Sequence, residues 1–283
     1  MSIIIAGPCQ IESVEQGVKI ATVCKAVCEK TSFSRRYGFD YYFKASFDKA
    51  NRTSMSGKRG MGLKEGIDAI FTVSKKTAVK TCVDFHDVEQ IRLCQDWGWL
   101  PDIIQIPAFL CRQTDLLLAA VKTGKIVNIK KGQFLAPWDV TGILSKTGTE
   151  NVMITERGTS FGYNTLVVDY TGLEYMLNNY DVPIVFDGTH AVQKPGGQGS
   201  SSGGNRDYVP GLCRAASALG VSNYFLEVHE DPDNAPSDGP NMLWLADFEN
   251  VLRDIKDYQY ERGQSMGDHG NLIDYQHGRG APH

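Results

Sequence analysis

The chain has 283 residues, 42% hydrophobic and 22% charged, with 29 Gly, 11 Pro, 7 Cys and a formal net charge of −4; a typical domain of about 150 residues suggests two domains, whereas an α/β barrel takes about 250 residues as one. The slight acidity excludes a global basic field for nucleic acid or an anionic membrane, and no apolar run approaches the roughly 20 residues that span a bilayer. The opening MSIIIAGPCQIES has no basic region and meets Glu12 early, so it does not read as a signal peptide, and with an odd cysteine count a reduced, cytoplasmic protein is expected.

In chain order, short β-branched or aromatic runs predict strands at Ile3–Ala6, Tyr41–Lys44, Lys80–Asp84, Ile103–Ile106, Ile126–Ile129, Val152–Thr155, Ile184–Phe186 and Tyr224–Glu227. Their near-continuous apolar character suits parallel strands buried on both faces. Helical spacing between them predicts a first helix started by Ser13 or Glu12 and running through Val18, Ile20, Val23 and Val27. Further helices are predicted over Leu63–Lys75, Val88–Trp97, Thr114–Lys122, Val140–Lys146, Gly172–Asn178, Tyr208–Leu219 and Leu243–Tyr260. This repeated β-α alternation predicts an α/β fold, a single-domain (β/α)8 TIM barrel over residues 1–260, followed by a polar, Gly-rich tail over 261–283 expected to be poorly ordered. A doubly wound open sheet is the alternative, but Ala6-Gly7-Pro8-Cys9 after the first strand is no G-x-G-x-x-G turn.

The residues at the strand ends carry the functional signal. They are Cys9, Lys44, Asp84 with His86, Gln105, Lys130, Glu156 with Arg157, Asp187 with His190, and Glu227. In a barrel these ends converge on the face where active sites sit, so the pattern points to an enzyme. Lys44, Lys49, Arg52, Lys58, Arg59, Lys130, Lys131 and Arg157 fall at or just beyond strand ends, giving an acidic protein a cationic mouth. A lysine within or directly after an apolar strand needs an anionic partner, or its pKa falls. Such a mouth suits one or two small substrates carrying phosphate and carboxylate groups. Two glycine-rich stretches, Ser54–Gly62 and Lys194–Gly204, are candidate lids, with a flexible insertion as the alternative for the second.

Several segments, in order, carry a specific resemblance. FKASFDKANRT (Phe43–Thr53), IIQIPAFLCRQTDLLLAA (Ile103–Ala120), NIKKGQFLAPWD (Asn128–Asp139), TERGTSFGYNTLVVD (Thr155–Asp169), FDGTHAVQ (Phe186–Gln193) and SDGPNM (Ser237–Met242) resemble the 3-deoxy-D-manno-octulosonate 8-phosphate (KDO8P) synthase family, over about Ile3 to Leu252. The resemblance implies a (β/α)8 barrel that condenses phosphoenolpyruvate with D-arabinose 5-phosphate and water, releasing phosphate, in lipopolysaccharide precursor synthesis. It implies a homotetramer in which a neighbouring subunit's loop completes the sugar-phosphate site, with no nucleic acid or membrane partner. The related DAHP synthases, which use erythrose 4-phosphate, typically read K-P-R-[ST] where this chain has Lys49-Ala50-Asn51-Arg52-Thr53. That alternative stays open, as do a Schiff-base aldolase using Lys44 and a non-catalytic sugar-phosphate-binding barrel.

The family has metal-dependent and metal-independent members, and Cys at position 9, rather than Asn, implies the dependent kind. The implied ligands of one divalent ion, Fe²⁺, Mn²⁺, Zn²⁺ or Co²⁺, are Cys9, His190, Glu227 and Asp238, a mixed donor set suited to such ions. The resemblance also assigns Lys44, Lys130 and Arg157 to phosphoenolpyruvate, with Gln105 and Gln133 orienting the ligands. Lys49, Asn51, Arg52 and Thr53 are implied to receive arabinose 5-phosphate, while Asp84 and His86 read as supporting or proton-transfer groups. Cys24, Cys28, Cys82, Cys94, Cys111 and Cys213 read as packing.

Overall fold

The computed structural model describes residues 2–32, 38–50, 59–197 and 202–268. Eight strands run parallel in chain order: β1 Ser2–Gly7, β2 Phe39–Lys44, β3 Lys80–Asp84, β4 Ile103–Ile106, β5 Ile126–Lys130, β6 Val152–Glu156, β7 Ile184–Asp187 and β8 Asn223–His229. The sheet closes because β8 returns to β1, pairing Ile4 with Tyr224 through Gly7 with Glu227. The fold is therefore the expected (β/α)8 barrel, and the open-sheet alternative falls. No described helix is long and apolar enough to cross a membrane.

Each strand is followed by a helix: α1 Val14–Thr31, α2 Leu63–Thr77, α3 Val88–Asp96, α4 Thr114–Val121, α5 Val140–Thr147, α6 Tyr170–Asn179, α7 Val209–Leu219 and α8 Phe248–Asp268. Side-chain oxygens of Ser13, Asp87 and Asp169 accept from the backbone N–H three residues on, which fixes where α1, α3 and α6 begin. Ser13, not Glu12, is thus the first cap. The last helix starts later than its apolar spacing predicts. Leu243–Trp244 instead adds a short strand beside Val228 and His229, and a 3-10 turn over Leu245–Asp247 leads into the helix. That helix then continues to Asp268, past the expected end of the barrel unit at 260.

Strand alternation sorts side chains into two cores. Ile4, Ala6, Phe43, Val83, Ile104, Ile129, Ile154 and Leu226 face the helices in the large outer core. Ile5, Tyr42, Cys82, Ile103, Met153, Val185 and Phe225 form a separate cluster inside the barrel. Two residues further along each strand, the same inward parity lifts the chain from this apolar plug to the C-terminal mouth. Parity thus places Lys44 above Tyr42, Asp84 above Cys82, Gln105 above Ile103, Asp187 above Val185 and Glu227 above Phe225.

At the end of β1, Gly7 lets two backbones approach, since a Cβ there would stand 2.1 Å from the carbonyl oxygen of Lys44. Backbone cannot swing aside as a flexible side chain can. Gly7→Ala is expected to lower unfolding free energy by at least about 2 kcal/mol, read as a reduced urea midpoint at unchanged slope.

Candidate active site

The mouth of the barrel holds a cavity of about 1150 Å³ whose lining includes Lys44, Lys49, Asp84, His86, Gln105, Lys130, Gln133, Arg157, His190 and Asp238. Its base is a layer of buried charge. Lys44, 1% exposed, donates to Glu227 Oε1 at 2.9 Å and to the Cys9 carbonyl at 3.0 Å, with Asp84 Oδ2 at 3.7 Å. Burial pulls this ammonium's pKa down, but Glu227 and Asp84 outweigh it and hold the value well above the usual one. Asp84 is fixed in turn by hydrogen bonds from Ser46 Oγ and Gln105 Nε2, and Lys49 Nζ donates to Ser46 Oγ at 2.9 Å. Burial works against the Asp84 charge, yet Lys44 and Lys49 keep its carboxyl below the ordinary range.

Lys130 differs. Its Nζ donates to Asp187 Oδ2 at 2.5 Å and lies 3.1 Å from the centroid of the Phe225 ring. Here burial wins over the single carboxylate, with Arg157 and Lys44 adding repulsion, and the ammonium pKa falls to about 8. Arg157 donates through Nη2 to Gln193 Oε1 at 3.0 Å, whereas its buried Nη1 has no hydrogen-bond partner among the described residues. Buried Gln133 Oε1 and His86 Nδ1 are likewise unpartnered there. These atoms offer polar valences to a ligand. Burial lowers the His86 pKa, favouring a neutral imidazole at the mouth.

Beside this layer the ligating atoms of Cys9, Glu227 and Asp238 all lie within 4.8 Å of one another. Cys9 Sγ donates to Asp238 Oδ2 at 3.1 Å, and Gln193 Nε2 donates to Asp238 Oδ1 at 2.9 Å. Asp238 adopts φ 53°, a left-handed conformation uncommon outside glycine that is found at functional sites. His190 joins the group through Glu227, with Nε2 3.7 Å from Oε2, while its Nδ1 lies 2.7 Å from Asp187 Oδ2. Burial and then Glu227 push the Cys9 thiol well above its normal pKa, and Glu227 Oε2 is buried without a hydrogen-bond partner among the described residues. A thiol beside two carboxylates, one oxygen unsatisfied, fits a divalent cation, which would supply the missing charge and favour the thiolate.

The structure therefore brings together Cys9, His190, Glu227, Asp238, Lys44, Lys49, Asp84, His86, Gln105, Gln133, Lys130 and Arg157. Asn51, Arg52, Thr53 and Lys58 lie outside the described residues; Lys49 and Ala50, which precede them in the sequence, line the cavity. Two members of the predicted mouth do not belong to it. Lys131, next to inward-facing Lys130, points the other way and is buried against Glu156 Oε2 at 3.3 Å and the Leu135 carbonyl at 3.1 Å. Arg59 is exposed and forks onto Asp48. Asp187 stands among the predicted strand-end residues but, like Gln193, has no specific role assigned from the sequence; both lie in the FDGTHAVQ segment, and inward strand parity turns Asp187 to the mouth. Pro195, Gly196, Ser202 and Gly204, from the second glycine-rich stretch, also line the cavity.

A family model described as the DAHP synthetase I family matches residues 1–262. Among curated relatives, a 2-dehydro-3-deoxyphosphooctonate aldolase of Bradyrhizobium sp. (strain ORS 278) is 51% identical over 255 residues, covering 89% of this chain and 86% of the relative. Proteins of the same name from Granulibacter bethesdensis and Agrobacterium fabrum are each 50% identical, covering 90% and 89% of this chain and 88% and 87% of their own lengths. With match and cavity agreeing from end to end of the barrel, the chain belongs to the DAHP synthetase I family and, within it, to the 2-dehydro-3-deoxyphosphooctonate aldolases, the KDO8P synthases.

Proposed function

We propose that the chain condenses phosphoenolpyruvate with D-arabinose 5-phosphate and water to give 3-deoxy-D-manno-octulosonate 8-phosphate and phosphate, with one divalent metal ion held by Cys9, His190, Glu227 and Asp238. The observation that carries this is a single cavity in which Lys44, Lys130 and Arg157 converge beside a buried thiol-carboxylate cluster. At about 1150 Å³ it exceeds a pocket for one drug-sized ligand, roughly 300–1,000 Å³, and suits two small phosphorylated molecules.

Lys130 and the free Nη1 of Arg157 bind the carboxylate and phosphate of phosphoenolpyruvate, and Lys44 adds fixed positive charge beneath them. Gln133 and Gln105 orient the ligands. Lys49 lines the cavity, and with it Asn51, Arg52 and Thr53 are assigned to the sugar phosphate. C3 of the enol attacks the aldehyde, water adds at C2, and phosphate leaves by C–O cleavage. His86, neutral and with an open Nδ1, is placed to hold a proton of the sugar, and Asp84 keeps Lys44 charged. A bound divalent ion would supply Lewis-acid polarisation of an oxygen or a water of lowered pKa. The cationic state of Lys44 argues against a Schiff-base aldolase, whose lysine must be a free amine.

The assembly is proposed to be a homotetramer, supported by Phe134, Trp138, Phe161 and Tyr163, which are 57%, 61%, 70% and 96% exposed. Seven free, buried cysteines support a reducing, cytoplasmic setting.

Phosphate release with arabinose 5-phosphate is expected to exceed that with erythrose 4-phosphate by at least about tenfold; the reverse order would make the chain a DAHP synthase, and binding without turnover in metal-replete protein would leave a binding barrel. Dialysis against a chelator should abolish turnover, with recovery on adding a single divalent metal. Cys9→Ala should weaken metal binding by at least about 100-fold; full activity after verified metal removal refutes the metal assignment. Lys130 is charged below its pKa of about 8 and neutral above it. Thus kcat/KM for phosphoenolpyruvate should fall as pH rises through about 8, and Lys130→Arg should move that limb upward.

A further inference from the structure

Asp187 ends β7 with no exposed surface, and its two oxygens serve four donors. Oδ1 accepts from the His190 backbone N–H at 2.9 Å and from Thr189 Oγ1 at 3.1 Å. Oδ2 lies 2.7 Å from His190 Nδ1 and 2.5 Å from Lys130 Nζ. An ionised carboxylate can only accept, so the proton of this imidazole sits on Nδ1. That leaves the Nε2 lone pair facing the Cys9–Glu227–Asp238 group, where Glu227 Oε2 is 3.7 Å away.

We propose that Asp187 is a positioning residue that couples the anion pocket to the metal cluster: one carboxylate oxygen holds both the imidazole that presents Nε2 to the ion and the ammonium that receives phosphoenolpyruvate. The proposal rests on the function above. Two donors on one oxygen compete for it. When an anionic substrate draws the Lys130 ammonium, the oxygen's remaining strong partner is the imidazole, whose hydrogen bond tightens and whose Nε2 becomes a better donor to a cation. Substrate binding therefore strengthens metal binding, and by reciprocity the metal strengthens substrate binding. Asp187 touches neither ligand. It acts through His190 and Lys130, and it does so from a strand end, where the barrel's hydrogen-bonded register fixes its place.

The test uses the full-length protein as wild type, Asp187→Asn and His190→Ala. Zn²⁺ affinity is read by competition with a chromophoric chelator. The dissociation constant for phosphoenolpyruvate is read by calorimetry on metal-free and on Mn²⁺-loaded protein. In the wild type, metal should tighten phosphoenolpyruvate binding by at least about fivefold, the low end of ordinary couplings. In Asp187→Asn, Zn²⁺ affinity should fall about 10–100-fold, and the metal-dependent tightening should shrink to less than twofold even at saturating Mn²⁺. A variant that keeps wild-type Zn²⁺ affinity within twofold, or keeps the wild-type tightening, overturns the proposal, as does a wild type without tightening. A wild type that binds neither metal nor phosphoenolpyruvate instead defeats the functional assignment, and this is seen before any variant is made.

Should Asp187→Asn fail to fold, ¹⁵N-histidine spectra of metal-free wild type decide. The imidazole whose signal is absent in His190→Ala should carry its proton on Nδ1, and added phosphoenolpyruvate should move that proton downfield. A proton on Nε2, or a resonance unmoved by the substrate, sinks the coupling.

Discussion

Everything at the mouth of this barrel depends on burying charge inside a closed sheet. Strand parity leaves no choice about which residues face inward, and two positions above the apolar plug those residues are Lys44, Asp84, Asp187 and Glu227. An isolated charge there would cost several kcal/mol, so cations and anions must be laid down as neighbours. They are: Lys44 against Glu227 and Asp84, Lys130 against Asp187. Even the position below Lys130 on β5, where the other strands carry apolar side chains, is polar. Asn128 donates to Gln105 Oε1 at 2.9 Å and accepts from Thr155 Oγ1 at 2.6 Å, tying β4, β5 and β6 together beneath the charges.

The pairing is uneven, and the unevenness is where ligands enter. Lys44 has two carboxylates and stays a fixed cation, whereas Lys130 has one and sits beside Arg157, so its charge is sustained only in part. An arriving phosphate or carboxylate completes the second arrangement and would add little to the first. Glu227 shows the same economy on the anionic side. Oε1 is spent on Lys44, while Oε2 is left for the cluster with Cys9 and Asp238. Among the described residues, the unpartnered donor of Arg157 and the unpartnered acceptor of Glu227 are complementary, one suited to an anion and one to a cation.

Much of this was legible in the sequence, for identifiable reasons. Parallel strands buried on both faces give uninterrupted apolar runs, so the residues after them could be named, and all but one of those strand-end residues enter the mouth or its supports as anticipated. Charge alone misled where parity was ignored. Lys130 and Lys131 look alike as a pair, but adjacent strand positions face opposite sides, and the second lysine braces Glu156 instead of lining the cavity. The proposed metal set could not be read from spacing, because Cys9, His190, Glu227 and Asp238 are distant in the chain and only barrel closure brings them near one another; resemblance supplied the proposal. Helix limits blurred where a cap or added pairing overrode periodicity, as at Leu243–Trp244, which continues the sheet before α8 begins.

The two halves of the site differ in what holds them. Lys44, Asp84, Gln105, Lys130, Asp187 and Glu227 all lie within strands, where backbone register fixes side-chain direction to a fraction of an ångström. Cys9 and Asp238 lie beyond strand ends, and His190 begins a single 3-10 turn. These three therefore need side-chain braces: Gln193 for Asp238, Asp238 for Cys9, and Asp187 for His190. Gln193 also grips Arg157, and Asp187 also grips Lys130. Gln193 and Asp187 thus each have one hand on a loop-borne residue beside the thiol-carboxylate cluster and the other on a buried cation. A site in which the less rigid half is held by the more rigid half cannot adjust one without disturbing the other, and that is why the cation layer and the thiol-carboxylate cluster are best regarded as one electrostatic unit.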